Sequence, residues 1–250
     1  MSDEFYIGYL DKCPPGLAQS TRWRVLFLAT LVVGLTALVA ALQIPAEPGV
    51  FEYGVVRSFE GVVHEHPLPI LRSVSREGTV THFLLVGAGK HGLPGFARGH
   101  DGQRVRFRGS LIQKEENVMI ELNDAASFTV LGPGTVSGNG SAKERSSDIT
   151  LTGELVDTKC FFGVMRPATG KVHRACAVRC LSGGVPPGLL LRDHEGAAVV
   201  LLMTGPGGAT PRVDPQWAAR LIRAKGRLVW NEETPHLEIV SLALADGGVE

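Results

Sequence analysis

The spacing of apolar and polar positions divides the chain into two unequal parts. Residues 25–44 (VLFLATLVVGLTALVAALQI) run for twenty positions without a charge. A helix of that length covers the ~30 Å hydrocarbon layer of a bilayer, so the pattern predicts a single transmembrane helix. A helix apolar on every face would otherwise need a much larger core around it. After the proline-bearing stem at residues 45–48, the pattern changes to short alternating runs separated by glycines and polar turns, which predicts a mostly β protein.

The β region repeats itself. Residues 109–122 (GSLIQKEENVMIEL) align without gaps on 226–239 (GRLVWNEETPHLEI), with Gly109 on Gly226, Glu115 and Glu116 on Glu232 and Glu233, and Glu121 on Glu238. Each copy reads as strand, polar turn, strand. Phe83 precedes Gly109 by 26 residues, and Val200 precedes Gly226 by the same 26. The run FEGVV at 59–63 resembles LTGELV at 151–156, with Gly61 on Gly153. Strands with a glycine near the middle bend sharply, and such strands close small five-stranded barrels. The order of elements resembles the OB-fold, a likeness of fold that says nothing of ligand. The expected organisation is a cytoplasmic tail at 1–24, the span at 25–44, a first OB-like domain at 49–131, a flexible linker at 132–147 and a second OB-like domain at 148–247.

The register locates an insertion. Gly61 to Phe83 is 22 residues and Gly153 to Val200 is 47, so the second copy carries 25 additional residues after its first strand. Because the first copy completes the same pattern without them, the addition points to a site rather than to barrel closure. It holds three of the four cysteines, Cys160, Cys176 and Cys180, together with His173.

Residues 172–181 are expected to form a short helix, ended by Gly183 and Gly184, that sets His173, Cys176 and Cys180 on one face within reach of Cys160. Three soft sulfurs and an imidazole suit zinc, copper or an iron–sulfur cluster. Asp157 and Lys159 flank Cys160 and are candidates for supporting contacts, the carboxylate either orienting His173 or capping the turn. A disulfide from Cys160 to Cys176 or Cys180, with one thiol left over, competes with the metal reading in an oxidising compartment. The spacing is not Cys-x-x-Cys, which removes the thioredoxin-type argument.

Charge narrows the partners. Twenty-five basic and 25 acidic residues cancel, which argues against nucleic-acid or acidic-lipid binding by bulk charge. Lys12, Arg22 and Arg24 precede the span and Glu47 and Glu52 follow it, so positive-inside logic leaves the tail in the cytoplasm and both domains outside. Cleavage after a signal peptide, near Val39-Ala40-Ala41, is the competing reading. His64 and His66 read as polar positions on a solvated strand face. The run GAGKHG at 87–92 lacks the spacing of a phosphate loop and reads as a mobile hairpin connection. No Ser-His-Asp order, carboxylate pair at a pocket-like position or cofactor fingerprint stands out, so the expected role is not enzymatic.

The segments 155–160 (LVDTKC), 170–180 (GKVHRACAVRC) and 184–189 (GVPPGL) resemble a family of exported bacterial proteins of uncharacterised function, through the pattern Asp-x-x-Cys, His-x-x-Cys-Ala-x-x-Cys and Gly-x-Pro-x-Gly. The likeness covers about 40 residues of the second domain. It implies a bacterial envelope protein whose site residues are Asp157, Cys160, His173, Cys176 and Cys180, and it supplies no reaction. The chain is therefore expected to be a single-pass inner-membrane protein with periplasmic domains, binding a metal or cluster as accessory or electron-transfer partner of an envelope oxidoreductase. The alternative is a chaperone-like binding module with a structural disulfide.

Overall fold

The computed structural model describes residues 13–42, 49–134, 145–194, 197–230 and 235–245. Helix α1 (Pro15–Leu42) contains most of the apolar run and starts well before it. None of its residues is buried, and it is long and apolar enough to cross a membrane. Of the expected tail at 1–24, residues 1–12 lie outside the described residues and 15–24 belong to α1; residues 43–48 are also outside them.

The remaining chain forms two closed five-stranded barrels. The first is built from β2 (Arg57–His64), β3 (Ile70–Val74), β4 (Val80–Gly87), β5 (Gln103–Lys114) and β6 (Asn117–Leu122), with β1 (Val50–Phe51) and β7 (Thr129–Pro133) added on β5. The second uses β8 (Arg145–Asp157), β9 (Pro187–Arg192), β10 (Ala198–Thr204), β11 (Leu221–Trp230) and β12 (His236–Leu244). In each, the first three strands form an antiparallel meander, the third runs parallel to the fifth, and the fourth closes on the first. The linker expected at 132–147 is shorter at both ends, because Gly132 and Pro133 belong to β7 and residues 145–147 to β8. Residues 135–144 lie outside the described ones, as do Glu232 and Glu233.

The internal alignment holds in the hydrogen-bond register. Gly61 pairs with Val105 and Gly153 with Ile222, while Gly109 pairs with Leu122 and Gly226 with Ile239. The glycines stand where backbones cross closely. A Cβ on Gly153 would lie 2.5 Å from the Leu190 carbonyl oxygen, and one on Gly226 would lie 2.1 Å from that of Glu238. Backbone cannot yield as a side-chain tip can. Gly226→Ala is therefore expected to destabilise the barrels by about 1–3 kcal/mol or more, read as a lower urea midpoint at unchanged slope.

Each barrel has its own apolar interior, and a third cluster joins them. Leu68, Ile70, Leu84, Val86, Ile112 and Met119 of the first barrel pack with Val156, Leu190 and Leu202 of the second, and Phe161 and Phe162 lie among them. Lys114 on β5 sits 4.0 Å from the centre of the Phe161 ring. The two barrels are thus fused through one core rather than strung on a linker.

Candidate metal centre

The inserted residues leave the barrel at the end of β8 and return at β9. Thr158 closes the neck, donating both its N–H (3.3 Å) and its hydroxyl (2.8 Å) to the Pro186 carbonyl. Cys160–Val164 form one wide helical turn, and helix α2 (Arg174–Ser182) follows after a loop. The helix is shorter at its start than the spacing suggested, leaving His173 as its N-cap. Its cysteines still share a face, since four residues are about one turn. Glu154 anchors the loop by accepting from the Gly170 N–H at 2.6 Å.

The three inserted cysteines converge. Cys160 Sγ lies 3.7 Å from Cys176 Sγ and 3.9 Å from Cys180 Sγ, and all three sulfurs are within 4.8 Å of one another. All three are free thiols, Cys160 and Cys180 buried and Cys176 half-buried. A tetrahedral ion that binds sulfur at ~2.3 Å spaces its sulfurs about 3.8 Å apart, so the trio fits one soft metal ion.

His173 belongs to an overlapping group. Asp157, Cys160 and His173 also present ligand atoms within 4.8 Å of one another, with Cys160 common to both sets. His173 Nε2 is 3.0 Å from Asp157 Oδ2, while Asp157 Oδ1 accepts from the Cys160 N–H at 2.8 Å. The carboxylate therefore holds both the imidazole and the backbone of the central cysteine. Burial, the largest influence on Asp157, opposes its ionisation, but the hydrogen bonds from His173 and Cys160 outweigh it and lower its pKa below the usual value.

The thiols divide their protons unequally. The hydrogen bond with Cys180 pushes the Cys160 thiol up, helped by burial and by the Asp157 charge. That same bond pulls Cys180 down against its burial, and the positive charge of Lys90 adds to the effect.

Two lysines define the surroundings, and they run in opposite directions. Lys159, expected beside the cysteines, turns away from them into the first barrel. Its Nζ donates to the Gly87 and Gly89 carbonyls, both at 2.6 Å, and pairs with Glu121 Oε2 at 2.5 Å. Lys90 comes the other way from the first barrel, donating to Cys176 Sγ at 2.6 Å, with Cys180 Sγ at 4.0 Å. This bond outweighs burial and holds the Lys90 ammonium above its usual pKa.

Lys90 was not among the expected site residues. The GAGKHG segment that carries it is no mobile connection: Gly87 N–H donates to the Gly92 carbonyl at 2.8 Å and Gly92 N–H to that of Gly183 at 2.9 Å. Its glycines were the available signal, because they permit backbone to approach backbone. His66, read as a polar position on a solvated strand face, is exposed but lies beyond the end of β2, with Nδ1 3.3 Å from the Gly208 carbonyl of the second barrel. A scan against protein-family models finds no match for the chain, and no curated protein matches it.

Proposed function

We propose that this chain is a membrane-anchored, extracytoplasmic metal–thiolate protein that serves an envelope oxidoreductase system as an accessory or electron-transfer partner. The observation that carries the reading is the convergence of Cys160, Cys176 and Cys180 at single-ion separations inside an insertion that only one of two matched barrels possesses. In a four-iron cluster each thiolate binds a different iron and the sulfurs diverge, so sulfurs in mutual contact favour one zinc or copper ion over a cluster. Three protein sulfurs leave a fourth position for an exchangeable ligand, as suits metal transfer or redox work better than a closed structural site.

The strand order of both barrels supports an OB-like identity. The apolar helix and the positive flank before it support a retained anchor with the barrels outside, in line with the resemblance to exported bacterial proteins. Tethering would hold the centre near an integral-membrane partner at high effective concentration. The proposed role is non-enzymatic, with neither nucleic acid nor acidic lipid as partner.

The closeness of Cys160 to both other sulfurs favours one competing reading, a disulfide and a spare thiol in a binding module. Elemental analysis with thiol counting on anaerobically purified chain separates the two. The expected result is one metal ion per chain, with Cys13 reactive and the other three thiols masked until a chelator is added. Metal-free protein containing one disulfide would move the function to the barrel loops.

A further inference from the structure

Resting on the metal reading above, we infer that the centre is assembled across the seam between the barrels, with Lys90 of the first barrel as a positioning residue for Cys176. Its Nζ is 2.6 Å from the one half-buried sulfur, although 86 residues separate the two in sequence. A charge-assisted N–H···S bond fixes the direction of that sulfur and offsets part of the charge that three adjacent thiolates would carry.

The seam is built to hold Lys90 there. A Cβ on Gly183 would lie 1.8 Å from the Lys90 carbonyl oxygen, and one on Gly92 would lie 2.0 Å from that of Gly184. The 87–92 loop and the end of α2 therefore touch backbone to backbone. From the other side, Lys159, next to Cys160, is 1% exposed and finds its acceptors in the first barrel: Gly87, Gly89 and Glu121. Each barrel thus lends a lysine to the other, and both lysines adjoin a cysteine of the cluster.

The internal copies show that this exchange is a departure from their common plan. In the second barrel Glu238 pairs with its cross-strand neighbour Arg227 at 2.5 Å. The matching neighbour of Glu121 is Ser110, whose hydroxyl donates to the Val55 carbonyl instead. Glu121 is thereby left for Lys159. Ion binding and barrel docking are consequently one linked equilibrium: whatever factor docking contributes to ion affinity, the ion returns to docking.

The test uses the full chain in detergent micelles with Cd(II) as probe, followed by sulfur-to-cadmium absorption and competition with a chromophoric chelator. Lys90→Met is expected to weaken Cd(II) binding about tenfold to a hundredfold, the usual scale for a group that orients a ligand, and Lys90→Arg to restore most of the loss. In the wild type, Cd(II) is expected to slow amide exchange at 87–92, a segment containing no metal ligand; this measurement needs no variant to fold. Unchanged affinity in Lys90→Met, or unchanged exchange at 87–92, with Cd(II) still bound by the wild type, would overturn the seam inference and leave the metal reading standing. A wild-type chain that binds no Cd(II) would overturn both.

Discussion

Lys159→Met is expected to lower the stability of the metal-free barrels by about 3–5 kcal/mol, the cost of stranding one member of a buried ion pair. The lysine is almost wholly enclosed, and the Glu121 carboxylate that faces it is largely buried. Removing the ammonium leaves a carboxylate and two carbonyls, Gly87 and Gly89, turned toward a methyl group. Urea unfolding in the presence of a chelator reads the effect directly. The double variant Lys159→Met/Glu121→Leu should recover much of the loss, because an apolar pair of similar volume avoids the desolvation that the ions incur. A single variant within about 0.5 kcal/mol of wild type would mean that the pair is open to water and the seam weaker than its geometry implies.

The second large effect falls on binding. Cys160→Ser is expected to reduce Cd(II) affinity by more than about a hundredfold, beyond the range seen when only a supporting group is lost. Cys160 is the sulfur common to both candidate ligand groups, and its backbone and side chain are fixed by Asp157 and Cys180. Serine keeps the size but offers a hard, poorly ionised oxygen to a soft ion. Ion at one hundred times the wild-type dissociation constant should stabilise the wild type by about 2.7 kcal/mol and the variant by at most about 0.4 kcal/mol. A variant that still bound the ion and gained stability from it would show that the cysteine trio is not the ligand set.

The features legible in the sequence were those written by spacing. An uncharged run announced α1, matched glycines at 61, 109, 153 and 226 announced the duplicated strands, and a difference in offset exposed the insertion and its cysteines. The helical repeat places Cys176 and Cys180 on one face, and the Asp157 carboxylate contacts both His173 and the Cys160 N–H, the two roles its position suggests. The direction of Lys159 was not legible, because the side chain of a residue at a strand end is aimed by what packs against it. Nor was Lys90, whose contact with Cys176 depends on how two barrels meet. One clue lay in the repeat itself: Glu121 and Glu238 are matched and identical, but their cross-strand neighbours, Ser110 and Arg227, are matched and different in kind. A break in a repeat marks where one copy has acquired a partner elsewhere.

The core shared by the barrels has a practical meaning for anyone who would divide the protein. Leu68, Ile70, Leu84, Val86, Ile112 and Met119 face Val156, Leu190 and Leu202 across it, with the Phe161–Phe162 turn between. Either half made alone would present this surface to water and behave as a sticky fragment. Opening the chain within 135–144, by contrast, should leave a nicked but intact pair, so that the molecule behaves as a heterodimer whose subunits happen to be encoded in tandem.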